Sequence, residues 1–464
     1  MISNYYINIY FSQKKISFFD KKINRSFSSC TRSKKKKISK VLMNFKENDE
    51  KKKKEKFFSW LSLNSVYIFN RSTWGRAPHQ CFVSDDVTDE GESCGRGLLA
   101  FRKIQQGEKL IEIPENLILK KSLKENRSED LSFLNEYDSL AIKAIQERAI
   151  GEKSKWKVYY EILPKEKDLN LVFRWKISDI VFLRGSKVLN ASFYLKEKIK
   201  IQFLRIEKTI FSKNRLVYPE KIFNLQSWEW AISLLLSRAI FLQNMKKIAL
   251  VPYADFINHN PFSTSYINSK KIAFSENNEI VMYADKDYNK FDQIFTTYGQ
   301  KTNLELLVLY GFIIERNPFD SIELRVALST KDELYNKKEK FINDCEKTEQ
   351  ITFPVFYYKY PKELYEFMRL CLSGPRDFFG EEFSNLNFTD EENFNLEKII
   401  RKTVIFACKK NLKAYNKTIN EEKILNNLSN IIVLTKNQKT SIKQRKCEKK
   451  ILQRLSENLK KELN

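Results

Sequence analysis

Eleven glycines serve 464 residues, about 2% where globular chains average ~7%. Glycine reaches positive φ without strain and lets backbones approach closely, so a chain this poor in it keeps it where other residues fail. Gly95, Gly97, Gly107, Gly299 and Gly311 fall in stretches whose residue pattern is β-rich. "GRG" at 95–97 would by itself suit any hairpin. The segment "TYGQKTNLELLVLYGF" (297–312) says more, because two Tyr-Gly pairs flank a helix-like turn. Taken alone, Tyr298 and Tyr310 also fit plain packing.

Around these glycines the hydrophobic period keeps changing. "SCGRGLLAFRKIQQGEKLIEIPENLIL" (93–119) has apolar runs between breakers and reads as two short strands joined by a tight turn. From Leu131 to Lys247 the period is helical. Trp156, Tyr159, Tyr160 and Leu163 share a face, and "WEWAISLLLSRAIFL" gives a long helix ending near Arg238. Alternation returns over 250–326 in "EIVMYA", "QIFTTYG" and "SIELRVAL", and after 330 the pattern is helical to the end. Strands, a helical insertion, strands and a helical domain make an α+β organisation. The expected divisions are a basic disordered tail or targeting leader over 1–56, a β-rich domain over 57–329 interrupted by helices at about 122–247, and a mostly α-helical domain over 330–464. Within the first, "ENDEKKKKEK" (47–56) reads as a solvated linker.

The formal charge of +25 raises nucleic acid as a partner, and its distribution argues against it. Residues 1–56 hold seventeen Lys or Arg against five Asp or Glu, and residues 436–464 hold ten against three, leaving only +6 between them. The folded middle is not a basic scaffold, and "SFSSCTRSKKKK" lacks the interleaved aromatics of a base-stacking surface. Seven scattered cysteines without a C-x-x-C pair read as reduced, intracellular thiols and offer no zinc site, so no metal is expected. No apolar run approaches the ~20 residues that span a bilayer. The aromatic, basic, serine-containing start leaves two readings open, an organelle leader (plastid-like or mitochondrial) and a tail on a cytoplasmic or nuclear protein.

One of only two histidines lies in "LVPYADFINHNPF" (250–262). A lone histidine is usually a core residue. His259 stands instead at the end of an apolar run, in an Asn-His-Asn-Pro turn, which points to backbone groups turned towards a ligand.

Together "GRGLLAFRKIQQGEKLIEIP", "SRAIFL", "VPYADFINHNP" and "TTYGQKTNLELLVLYGFIIERNPFDSIEL" resemble, in order and spacing, the SET-domain methyltransferases. The chain is identified as a member of the Rubisco large-subunit methyltransferase branch, whose SET domain is split by a helical insertion. "KWKVYYEILPKE" and "FRWKISDIVFLRGSKVL" resemble that insertion. "LKAYNKTINEEKIL" and "LTKNQKTSIKQRKCEKKILQRL" resemble the branch's C-terminal substrate-binding domain, so the likeness runs over about 57–460.

The resemblance implies a pocket for S-adenosylmethionine, and for its product S-adenosylhomocysteine, without a metal. Its parts are the GxG turn (Gly95, Arg96, Gly97), the NHxP segment (Asn258, His259) and the Tyr-Gly strand end (Tyr298). Arg238 matches the arginine that reaches the cofactor's carboxylate, and Asp255 the acidic position before Asn-His. His259 would offer its backbone to the adenine edge and Asn258 its amide to the methionine end. Cys94 precedes the turn, where close relatives often carry an acid or another polar residue. Tyr310 matches the catalytic tyrosine, and Tyr298 would line the same channel.

Methyl transfer from a sulfonium to an amine needs orientation and electrostatics rather than a nucleophilic side chain. The resemblance favours lysine as acceptor, since the histidine-modifying branch lacks a tyrosine where this chain has Tyr310. No cysteine-rich module of the histone-specific enzymes is present, which favours a non-histone protein. An inactive, cofactor-binding interaction module is the competing reading, and the intact residue set speaks against it. The C-terminal domain is expected to dock the protein substrate on a monomeric enzyme. There Ile442, Ile451, Leu452, Leu455 and Leu459 fit one helix face, with Lys443, Arg445, Lys446, Lys449 and Lys450 around its margins.

Overall fold

The computed structural model describes residues 51–64, 66, 80–89, 92–121, 134–272, 278–344, 350–374, 390–416 and 434–463. The chain forms two compact units. One gathers the described residues up to Leu169 with Lys196–Gly299, the other those of Asn170–Leu195 and Gln300–Asn464. These divisions differ from the expected boundary at 329/330, because 300–329 and part of the helical insertion cluster with the C-terminal unit.

The first unit opens with a helix, α1, over 51–63. Residues 1–50 of the expected tail lie outside the described residues, and 51–56 are helix rather than linker. Lys and Glu are good helix formers, and Phe57 and Leu61, one turn apart, anchor the helix by full burial. Strands β1 (Cys81–Asp89) and β2 (Glu92–Ala100) pair antiparallel. β3 (Lys109–Pro114) and β4 (Leu119–Lys120) follow. β2 and β3 are not partners: β2 lies beside β10 (Gln293–Thr296), β3 beside β9 (Asn278–Tyr283). "GRG" is correspondingly not a hairpin turn. It lies within β2, where the register slips between Val87↔Gly95 and Thr88↔Ser93. Gly95 takes φ 73° at that bulge.

The helical insertion begins with α2 (Glu136–Ile150), closed by an Asn135–Asp138 capping box, and α3 (Lys157–Ile162). In the second unit come α4 (Ile177–Ile180) and the start of α5 (Lys187–Ile206). α6 (Leu225–Arg238) starts at the Asn224 cap and buries Trp228, Leu234 and Leu235. The helical stretch then ends earlier than 247. Ala239 is extended, and β5 (Ile240–Leu242) turns through Lys246 at φ 51° to pair with β6 (Lys247–Leu250). β7 (Asn258–His259) runs parallel to β10, giving the sheet order β1-β2-β10-β7. β8 (Asn268–Lys271) completes a second sheet, β3-β9-β8, and β4-β6-β5 form a third.

In the second unit, α7 (Asn303–Tyr310) is capped by Thr302 and Glu305. β11 (Ile322–Ala327) and α8 (Tyr335–Asp344) follow. The chain after 330 is not wholly helical, since β12 (Gln350–Val355) pairs with β11. Its Pro354 is tolerated because a two-stranded sheet has only edges. α9 (Lys362–Leu372), α10 (Asp390–Asn416) and α11 (Lys436–Lys461) complete the unit. Its core includes Leu324, Val355, Ile400, Ile451, Leu452 and Leu455. The expected apolar face of α11 is buried, but Arg445 is not at its margin. Arg445 is fully buried, donating to the Tyr415 carbonyl (3.1 Å) and lying over the Tyr415 ring. The neighbouring buried Glu448 accepts from Ser186 and the Tyr415 hydroxyl, each at 2.9 Å.

Candidate functional site

Arg238 closes α6, so its guanidinium is delivered at a helix end. Nη1 donates to the Asp255 carbonyl (3.0 Å) and to Asp255 Oδ2 (3.1 Å). The Asp255 side chain is fully enclosed and also accepts from the Tyr159 hydroxyl at 3.0 Å. Burial pushes the Asp255 carboxyl up while Arg238 and Tyr159 pull it back. Burial, with Asp255 beside it, pushes the Tyr159 phenol well above its ordinary value, so Tyr159 remains a donor. Among the described residues, Asp255 Oδ1 and Arg238 Nε are buried without a partner. A buried donor atom without a partner, on a half-buried arginine, is what an anion would satisfy.

Asn258 is fixed from two sides. Its Nδ2 donates to the Arg96 carbonyl (3.1 Å) and to Gln293 Oε1 (2.9 Å), and Gln293 Nε2 donates to the Thr88 carbonyl (3.2 Å). Both amide hydrogens are used, so what Asn258 can offer a ligand is its acceptor oxygen. Gly97 lies against this pair. A Cβ there would come within 2.5 Å of Val87 Cγ2, 2.8 Å of Asn258 Nδ2 and 2.9 Å of Gln293 Oε1. Gly95 differs, because its Cβ would meet nothing within 4 Å and only its φ requires glycine. Arg96 is held structurally: Nη1 donates to the Ile162 carbonyl (3.1 Å), Nε lies 3.7 Å from Asp85, and the guanidinium covers the Phe256 ring at 5.1 Å. Cys94 lies on β2, and its side chain is outside the described residues.

His259 is buried, and its role is visible in one bond. Nδ1 accepts the Tyr298 backbone N–H at 3.0 Å while the two rings stack, centroids 4.9 Å apart. That bond needs Nδ1 unprotonated. The Tyr298 hydroxyl donates to the Ile257 carbonyl at 2.8 Å, and burial pushes its phenol up to about 12. The turn expected at Asn-His-Asn-Pro is built by Asn260, whose side chain accepts from the Phe262 N–H at 2.8 Å.

The first unit thus holds Arg96 with Asn258 against Gly97, Arg238 with Asp255, and His259 with Tyr298 in three hydrogen-bonded groups, and places Gly95 at the bulge beside the first. Tyr310 is carried by the second unit. It ends α7, half-buried, with its ring 6.3 Å from that of Phe312. Gly311 stops the helix at φ 82° and has the Asn170 carbonyl oxygen 2.5 Å from where a Cβ would stand. Sequence reasoning missed Gln293 and the hydroxyl of Tyr159, whose only signals were a strand and an apolar helix face. Among the described residues no group of three or more His, Cys, Asp or Glu could hold a metal ion, and no helix is long and apolar enough to cross a membrane.

Residues 95–299 match the SET domain and residues 329–452 the Rubisco LSMT substrate-binding domain. Curated relatives include the chloroplastic ribulose-1,5 bisphosphate carboxylase/oxygenase large subunit N-methyltransferase of Nicotiana tabacum, 27% identical over 71% of this chain and 70% of that protein. The chloroplastic [fructose-bisphosphate aldolase]-lysine N-methyltransferase of Arabidopsis thaliana is also 27% identical, over 79% of this chain and 77% of that one. Among solved structures, the SET domain of LSMT bound to lysine and AdoHcy matches with TM-score 0.69 and 25% identity, covering 88% of this chain and 91% of that chain.

Proposed function

We propose, on the premise that the chain belongs to the SET-domain proteins of the Rubisco large-subunit methyltransferase-like branch, that it is an S-adenosylmethionine-dependent protein-lysine N-methyltransferase acting on a non-histone protein. The observation that carries this reading is the Arg96–Asn258–Gln293 network, with Arg238 paired to Asp255 through Nη1 and its Nε left unpartnered among the described residues, in a chain related to lysine methyltransferases over most of its length.

The residues fit the cofactor in sign. Its amino-acid end carries an ammonium and a carboxylate, which suit the Asn258 acceptor oxygen and the Arg238 donors. Gly95 leaves the adjoining backbone open, Gly97 lets β2 close on Asn258, and the His259 backbone is assigned to the adenine edge. When bound, S-adenosylmethionine supplies a methyl on a cationic sulfonium, which an amine displaces in line.

The protein's part is alignment. Tyr298 commits its proton to Ile257, so its oxygen is left to accept, as a weak C–H···O contact to a polarised methyl requires. Tyr310 is assigned to the attacking amine. No side chain of the cluster stands ready as a base: His259 Nδ1 is engaged by Tyr298, and Asp255 by Arg238 and Tyr159. Desolvation near a cation favours an amine that has left its first proton in solvent and arrives neutral, and the methylated ammonium formed by transfer sheds the next proton to water.

The C-terminal domain docks the protein substrate, with the exposed Lys446 and Lys450 of α11 facing acidic residues on it. The basic N-terminal stretch and the chloroplastic relatives support an organelle as its place of work. The test is to incubate the protein with methyl-labelled cofactor and cell lysate, then hydrolyse the labelled protein. Label on Nε-methylated lysine supports the reading, label on methylhistidine assigns the histidine activity instead, and no label supports an inactive module.

A further inference from the structure

Helix α1 reads in sequence as solvated charge up to residue 56 and as the start of structure at about Phe57, yet it meets the site at two walls. Phe57, buried, stacks on Tyr159 (centroids 6.3 Å apart, 26° between planes) and meets Phe256 edge-on at 5.7 Å. Phe58 meets Tyr253 edge-on at 6.1 Å. Tyr253 is fully buried and holds φ 74°, a conformation unfavourable for a bulky residue. The helix therefore grips both sides of the short segment 253–256 that carries Asp255. Lys54 adds an ion pair to Asp85, the carboxylate that also faces Arg96.

The Asp255–Arg238 pair depends on such support. Asp255 Oδ1 and Arg238 Nε have no partner, so the Tyr159 hydroxyl is the one side-chain bond besides Arg238 itself that fixes the buried carboxylate among the described residues. Tyr159 in turn is placed by ring contact with Phe57 and Tyr160.

We propose that α1 is a positioning element for cofactor binding: Phe57 holds Tyr159, Tyr159 holds Asp255, and Asp255 aims the Arg238 guanidinium at the carboxylate of the bound cofactor. This rests on the assignment of Arg238 as the carboxylate-binding residue. It gives residues 51–63 a role that a mere hydrophobic anchor lacks, because the effect is confined to one end of the ligand.

Two probes separate these roles: S-adenosylhomocysteine, which carries the amino-acid carboxylate, and methylthioadenosine, which lacks it. In the full chain, Phe57→Ala should weaken S-adenosylhomocysteine binding about tenfold or more and change methylthioadenosine binding less than about twofold, with Phe57→Leu restoring most of the loss. Tyr159→Phe keeps the ring and removes one hydrogen bond to a charged group, so it should weaken the same probe about tenfold, carrying the test alone if Phe57→Ala does not fold. With Arg238→Lys already present, Phe57→Ala should add nothing. Equal losses for both probes, additive losses with Arg238→Lys, or no loss in either variant would overturn the proposal. A wild-type chain that binds neither probe removes the cofactor reading itself, and the proposal with it.

Discussion

Replacing Gly97 by alanine puts a methyl into the tightest point of the candidate site. Three atoms stand 2.5, 2.8 and 2.9 Å from the new carbon, and two of them belong to the hydrogen-bonded amides of Asn258 and Gln293. One of those amides must move. Losing a buried hydrogen bond costs about 1–3 kcal/mol, and pressing β2 against Val87 adds about 1–3 kcal/mol of overpacking. At about 2–4 °C per kcal/mol for a unit of this size, melting should fall by roughly 4–24 °C. Because Asn258 loses its orientation, S-adenosylhomocysteine affinity measured by calorimetry should fall at least about tenfold. Gly95→Ala is the control. Its methyl meets nothing, and the cost is only that of φ 73° in an L-residue, about 1–2 kcal/mol. Melting should drop modestly, and Gly95→Asn should be milder than Gly95→Val. If Gly97→Ala melts and binds like the wild type, the backbone approach at β2 does not shape the site. If both alanines act alike, the separation of steric from conformational cause is wrong.

Tyr310→Phe should keep melting and cofactor binding unchanged while turnover falls about tenfold or more, and unchanged turnover would leave Tyr310 a packing residue. Asp138→Asn should flatten the pH dependence of stability. Burial raises this carboxyl to about 6, and among the described residues its Oδ1 has no partner. The folded chain therefore keeps a proton that the unfolded chain releases above its lower pKa, so stability falls as pH rises from about 4 to 6. The variant should gain up to about 3 kcal/mol at neutral pH and little at pH 4, read from melting across pH. Reversing Lys446 and Lys450 together should raise KM for the protein substrate, most at low salt, with no change in cofactor affinity. Lys443→Glu should instead cost stability, because Lys443 is already paired with Glu315 at 2.9 Å.

What the sequence revealed depended on whether the signal was local. The end of α6 at Arg238, the strand over "EIVMYA" and the helix between the two Tyr-Gly pairs follow from periods within one element. So does the apolar face of α11. Structure is expected from about Phe57, but the helical character of 51–56 was missed because those six residues are all charged and the buried pair Phe57 and Leu61 shows only one turn. β12 was missed because "QITFPV" is a short run holding a proline, which gains strand character only from β11. Arg445 is indistinguishable in sequence from its surface neighbours, and its burial depends on a carbonyl thirty residues away. Glycine scarcity pointed to positive φ or close approach, and Gly95 shows the first and Gly97 the second, a distinction that only the three-dimensional packing makes. Gln293 and Tyr159 act across 35 and 96 residues on Asn258 and Asp255, and no spacing rule reaches that far.

If the proposed site holds S-adenosylmethionine, losing Asn258 must abolish that binding. Calorimetric titration of S-adenosylhomocysteine into the wild-type chain should show one site per chain. Into Asn258→Ala, which loses both the acceptor oxygen and the bonds to Arg96 and Gln293, it should show no measurable binding while the chain stays folded. Equal affinity in the two proteins would contradict the account.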